Sequence, residues 1–305
     1  MTRSVFEVSS RGWLLFIAMS VIWGVPYLMI KVAVEGVSVP VLVFARTAVG
    51  AAVLLPLALS SGIPAMIRRH WKALLGFSFF EIVAAWYLLS DAERHLTSSM
   101  TGLLIAASPI IAAVLDRFTG GEQRLGLRRV VGLGVGLAGV AVLAGPHLTG
   151  GTAWPIVEVL MVATCYAIAP LIAARHLSDV PALPMTATCL GFAALVYAAP
   201  AAATWPSEMP STRVLLALAG LAVICTALAF IVFFALIREV GATRALVFTY
   251  VNPAVALLAG VVVLSEPLTA WNVGALTLIL AGCVLATHRH DEPSPPSPAE
   301  EPVAR

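Results

Sequence analysis

The sequence predicts an all-α membrane protein of ten transmembrane helices, arranged as two inverted five-helix repeats. Three observations predict it: a composition too apolar for a water-facing surface, basic residues sorted into alternate loops, and a set of residues that recurs with a near-constant offset.

Of the 305 residues, 60% are hydrophobic and only 11% are charged, with a mean hydropathy of +0.97. A soluble domain carries about 25% charged residues, so most of this surface must face lipid. A bilayer core roughly 30 Å thick takes roughly 20 apolar residues per helix. Ten such spans can be read: Trp13–Val34, Val39–Ser60, Ala73–Leu89, Ser99–Leu115, Val130–Ala144, Trp154–Ala174, Leu183–Ala203, Val214–Ile237, Ala245–Leu264 and Thr269–Thr287. The eighth contains no charge. The fifth is short unless Leu125–Leu127 extend it. Alternating strands of the barrel type are absent, which leaves helices as the spanning solution. Arg3 and Arg11 before the first span resemble a secretory leader, but the apolar run is too long, and it reads as an uncleaved first helix. All four cysteines (Cys165, Cys189, Cys225, Cys283) fall within spans without C-x-x-C spacing, as small packing residues do.

Orientation follows from the basic residues. With the N-terminus inside, the cytoplasmic side holds Arg3, Arg11, Arg68, Arg69, Lys72, Arg117, Arg124, Arg128, Arg129, Arg175, Arg238, Arg244, Arg289 and Arg305, which is 14 of 18 Lys and Arg. The outer side holds only Arg94 and Arg213, while Lys31 and Arg46 lie within spans. The positive-inside rule then places both termini in the cytoplasm of a multi-pass protein of the cell (inner or plasma) membrane.

The repeat is visible directly. Ser108-Pro109 matches Asn252-Pro253, and Gly121-Glu122 matches Ser265-Glu266, both at an offset of 144. Leu137-Ala138-Gly139 matches Leu280-Ala281-Gly282 at 143, and Gly50 and Gly191 sit alike in the second and seventh spans. Five spans per half force the second half to enter the membrane from the opposite side, an arrangement that many secondary transporters use. The expected organisation is a cytoplasmic N-terminus at 1–12, a first repeat at 13–147, a second at 148–288 and a proline-rich, disordered cytoplasmic tail at 289–305.

These motifs resemble the EamA branch of the drug/metabolite transporter superfamily across about residues 13–287. The resemblance rests on Ile22-Trp23-Gly24 with Lys31, on Pro40 with Phe44-Ala45-Arg46, and on Pro109 and Pro253. It also rests on Glu122, on Ser265-Glu266-Pro267-Leu268-Thr269, and on Leu280-Ala281-Gly282. The sequence departs at Gln123-Arg124-Leu125, where the signature is looser, and at Cys165-Tyr166, where a Trp-Ala pair is common. The resemblance implies a secondary carrier of small metabolites or drug-like solutes, built from two EamA repeats, that exports by alternating access. It leaves the substrate open among amino acids, sugars, nucleobases and toxic organics.

The candidate site residues fall into two sets. Pro109 and Pro253 each remove a backbone donor near mid-span and free a carbonyl that must be buried in protein or line a wet cavity. Ser108, Tyr250 and Asn252 would add polar groups there, and Trp23 and Trp86 would serve as wall aromatics; both kinks and both tryptophans could instead only shape packing. The second set is charged. Glu81 lies deep in the third span, where a carboxylate suits proton coupling or a substrate ammonium, or else a structural pair with Arg46. Lys31, near a span end, reads as snorkelling outward, and Glu158 as interfacial. Asp91-Ala92-Glu93-Arg94-His95 reads as a solvated loop. The glycines Gly132, Gly134, Gly136 and Gly139 give small-x-x-x-small packing, intramolecular by default or between two copies in a homodimer. Neither H-E-x-x-H, G-x-S-x-G nor a P-loop occurs, which weighs against an intramembrane enzyme or primary pump. A channel or receptor remains the other alternative. The expected partners are a small-molecule substrate, the bilayer and a coupling proton, with no metal, cofactor or nucleic acid.

Overall fold

The computed structural model describes residues 9–59, 62–118, 127–145, 153–241 and 245–287. The expectations for Gly121-Glu122 and for the tail lie outside them. Among the described residues there is helix and no strand. Six helices are long and apolar enough to cross a bilayer: Ser10–Ala33, Val39–Ala58, Ile63–Ala92, Ala153–His176, Ala182–Ala203 and Thr212–Val240. Four more apolar helices, Ser98–Ala112, Val130–Ala144, Asn252–Leu264 and Ala270–Leu285, are shorter. Taken in chain order these are the ten spans, and their lengths repeat. The first three measure 24, 20 and 30 residues, their mates 24, 22 and 29, and the last two of each half are the short ones.

The packing has the same symmetry. The second span packs on the seventh, the fourth on the ninth and the fifth on the tenth, each against its own repeat-mate. The first runs along the eighth and the third along the sixth, one contact seen twice. The fifth and tenth meet backbone to backbone at Gly136 and Gly282, so the glycine run serves intramolecular contact here.

Local signals set the helix ends. Ser9, Ser38, Thr97 and Ser211 each accept a hydrogen bond from a first-turn amide of the helix they precede. Ser265 ends the ninth span in the left-handed region (φ 56°). That turn bonds the Glu266 amide to Gly260 O and aims the Glu266 carboxylate at the start of the fourth span. There it accepts from the Ser98 amide (2.8 Å) and hydroxyl (3.0 Å) and from the Ser99 amide (3.0 Å) and hydroxyl. An acid at a helix N-terminus is favoured by the unpaired amides and the helix dipole.

Four expectations are corrected. The third span begins at Ile63 rather than Ala73: Pro64 opens a helix that carries Arg68, Arg69 and Lys72 on its exposed side and His70 partly buried. Lys31 does not snorkel. Its Nζ donates to Glu93 O and Leu96 O, both at 2.7 Å, closing the carbonyl end of the third span. Glu158 is buried rather than interfacial, at 3% exposure. Glu93 is wholly buried within the charged loop, although Arg94 and His95 are exposed.

Glu93 has a measurable consequence. It lies one residue beyond the third span, and neither carboxyl oxygen has a hydrogen-bond partner; the nearby Thr101 hydroxyl donates instead to Thr97 O (3.0 Å). Burial pushes its carboxyl well above the ordinary range, Lys31 opposes this, and Glu266 adds to it. A carboxyl whose folded pKa is raised destabilises the fold progressively as pH climbs from the unfolded value towards the folded one. Glu93→Gln is therefore expected to raise the melting temperature at neutral pH, with the gain vanishing in acid below the ordinary carboxylate range. A gain that persists unchanged in acid, or a loss at neutral pH, would contradict this reading of Glu93.

Candidate functional site

The third and eighth spans each contain a π-helical stretch at mid-depth, Phe79–Ala84 and Gly220–Leu228. They are repeat-mates. A π turn widens the helix and strands a carbonyl, and such turns concentrate at functional sites. Here Tyr197 from the seventh span donates its hydroxyl to Val83 O (2.6 Å), and Thr226 donates back to Leu221 O (2.8 Å). Carried over by the offset of 144, Glu81 in the first stretch corresponds to Cys225 in the second.

Glu81 is half-buried on the first π stretch. Its titratable neighbours are Cys165 and Tyr166 of the sixth span and Cys189 of the seventh. Arg46, on the second span, is 4% exposed. Its guanidinium carbon lies 3.9 Å from the Trp86 ring centroid, and its Nε donates to Thr226 Oγ1 at 3.4 Å. Tyr27, Tyr166 and Cys225 complete its surroundings. The expected Glu81–Arg46 pair does not form: the ion pairs among the described residues are Arg11–Glu239, Arg69–Asp179, His70–Asp179 and Arg94–Asp91. Tyr166 feels both groups.

The proline set is arranged differently. The fourth span breaks into Ser98–Ile105 and Ser108–Phe118, with Pro109 second in the latter segment. Ile105 O, freed by that proline, accepts from the Ser108 hydroxyl at 2.6 Å. The ninth span starts as a 3₁₀ turn, Leu246–Tyr250, and continues as Asn252–Leu264 with Pro253 buried. In the orientation its neighbours dictate, the Asn252 amide nitrogen donates to Phe248 O (3.1 Å) and to Ser20 O of the first span (3.2 Å). Ser20 O is free because the first span also breaks, at Trp23–Val25, where the Gly24 amide turns to Val21 O. Thus Ser108 and Asn252 hold kinks, and the fourth and ninth spans touch so closely that a Cβ on Gly102 would meet Ala256 at 2.5 Å. Tyr250 packs beside the fourth-span core.

Trp23 belongs to neither charge. Its ring lies 5.7 Å from Phe230, 5.1 Å from Phe233 and 5.4 Å from Phe248, an aromatic cluster joining the first, eighth and ninth spans. Trp23 itself is near the middle of the first span, and Phe248, at the start of the ninth, extends the cluster towards the face where the first span begins. At the opposite face, Gly36 meets Val214, where an added Cβ would come within 2.9 Å. A groove of about 410 Å³ opens on that opposite face, lined by Tyr87, Asp91 and Arg94 among others, and neither Arg46 nor Glu81 reaches it.

The structure therefore brings Arg46 and Trp86 together, shares Tyr166 as an electrostatic neighbour between Arg46 and Glu81, and leaves Lys31, Trp23 and the two proline breaks apart from them. Sequence reasoning missed Tyr27, Tyr166 and Thr226. The offset of 144 applied to Glu81 would have led to Cys225, and hence to the second π stretch. The four cysteines are buried and unbridged, and the described residues hold no cluster suited to a metal.

The family model described as the EamA-like transporter family matches residues 10–145 and 153–287. The chain is 25% identical over 273 residues to the uncharacterized inner membrane transporter YedA of Escherichia coli strain K12, covering 88% of each. It is 24% identical over 283 residues to the uncharacterized transporter YvbV of Bacillus subtilis strain 168, covering 90% of this chain and 91% of that one. An uncharacterized transporter of Archaeoglobus fulgidus is 25% identical over 286 residues, covering 92% and 99%. A solved protein crystal structure superposes with a TM-score of 0.64 at 21% identity, over 91% of this chain and 97% of that one, a likeness of fold.

Proposed function

The chain belongs to the EamA-like transporter family, and from that premise we propose that it is a secondary carrier that exports a small solute by alternating access, binding it between the two π stretches. One observation supports this most. Two ionisable groups of opposite sign, Arg46 and Glu81, lie within helices long and apolar enough to cross a bilayer, without an ion-pair partner among the described residues. An intramembrane charge left in that state is costly and marks a substrate or ion path, and inverted repeats place that path at the midplane. The Trp23 cluster and the Gly36–Val214 contact would then be the two closures, opened in turn. Arg46, Trp86, Tyr27 and Tyr166 contact the solute, and Glu81 carries the coupling proton. Lys31, Ser108, Pro109, Asn252, Pro253 and Tyr250 act one step removed, by holding the breaks and ends that let the helices move.

The test is a solute screen on purified protein in liposomes, with and without a pH gradient. Uptake or counterflow of at least one solute that depends on the gradient is expected; absence of flux for every solute class would overturn the carrier reading. Orientation is tested separately. Both termini are taken as cytoplasmic, on the loop charges. A cysteine at Ser207 should react with an impermeant thiol reagent applied outside, and one at Arg69 should not. Outside labelling at position 69 would sink that topology.

A further inference from the structure

We infer that the solute is a small organic anion, and that its carboxylate docks on Arg46 within a cradle completed by Trp86, Tyr27 and Tyr166. This rests on the carrier reading for its physiological meaning, but not for the binding site itself.

The argument begins with unmet donors. A guanidinium has five N–H groups and stays charged in proteins. At Arg46 one of the three nitrogens is engaged, by Nε to Thr226 Oγ1 at 3.4 Å. The Thr226 proton is already committed to Leu221 O, so its hydroxyl can only accept from Arg46. The two terminal nitrogens make no hydrogen bond among the described residues, and no carboxylate lies within ion-pair distance. They are not among the fully sealed, unsatisfied side-chain atoms of the interior. The Tyr27 and Tyr166 hydroxyls likewise make no hydrogen bond among the described residues, and both are electrostatic neighbours of the same guanidinium.

Lys31 supplies the contrast. It is on the neighbouring span, it is also a cation within the fold, and it is met by two carbonyls at 2.7 Å. The chain thus meets one partly buried cation with two acceptors and leaves the buried one with open donors. Snorkelling does not account for Arg46, because its head turns inward to Thr226 at the π stretch. Trp86 lies against the guanidinium, a contact that limits how the planar fork can turn. A planar carboxylate takes two parallel N–H bonds from such a fork, and the phenols can donate to its outer lone pairs. A cation would meet only repulsion at this end. A neutral amide would match the shape without the charge.

The experiment uses full-length protein in detergent and reads Trp fluorescence together with melting temperature. The probes are benzoate against benzamide and lactate against lactamide, at millimolar concentrations. At least one carboxylate is expected to bind, with its amide weaker by about tenfold or more, the loss of one charge-assisted pair. Arg46→Gln should erase that preference, Arg46→Lys should keep part of it, and Tyr27→Phe should weaken carboxylate binding in a protein of unchanged stability. No shift with either carboxylate, equal binding of acid and amide, or full carboxylate affinity in a folded Arg46→Gln protein would each overturn the inference. Should Arg46→Gln fail to fold, the Tyr27→Phe result and the wild-type acid–amide ratio decide. The two readings fail separately. Transport of neutral or cationic solutes indifferent to Arg46 would remove the anion and leave the carrier. Carboxylate binding that needs Arg46, without flux of any solute, would do the reverse.

Discussion

Glu81→Gln is expected to yield a folded protein that no longer accumulates solute against a gradient. The amide keeps the size and hydrogen-bonding reach of the acid but cannot carry a proton. Nothing in the fold depends on the carboxylate: it has no ion pair or hydrogen bond among the described residues, and it stands on a π stretch whose stranded carbonyl is met by Tyr197 rather than by Glu81. For one proton exchanged per solute, each pH unit across the membrane is worth about 1.4 kcal/mol, or up to about tenfold accumulation. The variant should lose that factor while retaining counterflow, which needs binding and exchange but no net proton movement. The measurement is uptake into liposomes over a series of imposed pH gradients. Full pH dependence in the Gln protein would show that the coupling group is elsewhere.

Gly282→Leu is expected to give no recoverable folded protein, and Gly282→Ala a clearly less stable one. A Cβ at Gly282 would run into the Gly136 backbone and come within 2.7 Å of Gly132 O. No side chain is there to rotate away, so the fifth and tenth helices must separate. Overpacking of this kind costs about 1–3 kcal/mol and occasionally more. Gly139 has the same character on the next turn, with Ile279 N at 2.9 Å from an added Cβ. Gly134 and Gly274 are the controls, since an added Cβ there meets nothing within 4 Å. Thermal unfolding in detergent for Ala at 282, 134 and 274 makes the comparison. Equal melting temperatures for all three would refute the close contact.

The number of spans and their pairing by repeat were legible because both follow from coarse patterns: runs of apolar residues, basic loops and an offset. What was illegible depended on distant neighbours. Arg68, Arg69, His70 and Lys72 read as loop because charge ends an apolar run, yet they continue a helix, with Arg68, Arg69 and Lys72 exposed. Glu93 read as solvated because Asp91, Arg94 and His95 flank it, yet it is buried, with Lys31 and Glu266 brought near it from distant parts of the chain. Hydropathy carries no signal for an i→i+5 turn, so the π stretches could not be foreseen. Glu81 and Arg46 stood out because charge at membrane depth is rare. Tyr27, Tyr166 and Thr226 did not, because such residues are ordinary in spans and acquire meaning only beside an unpaired guanidinium. The expectation for Asn252 rested on its two-way hydrogen-bonding capacity, and that capacity is directed to Phe248 O and Ser20 O.

The π stretches match in shape but not in content. Glu81 maps to Cys225, and by the offset that relates Gly50 to Gly191, Arg46 maps to Ala187. Both charges therefore belong to one half. An inverted duplication alone would make the two directions of travel chemically equivalent; here the cargo stays in the keeping of the first half while the second rocks across it. Division of labour follows. Changes in the second half should alter how fast the cycle turns, and changes in the first should alter what it carries.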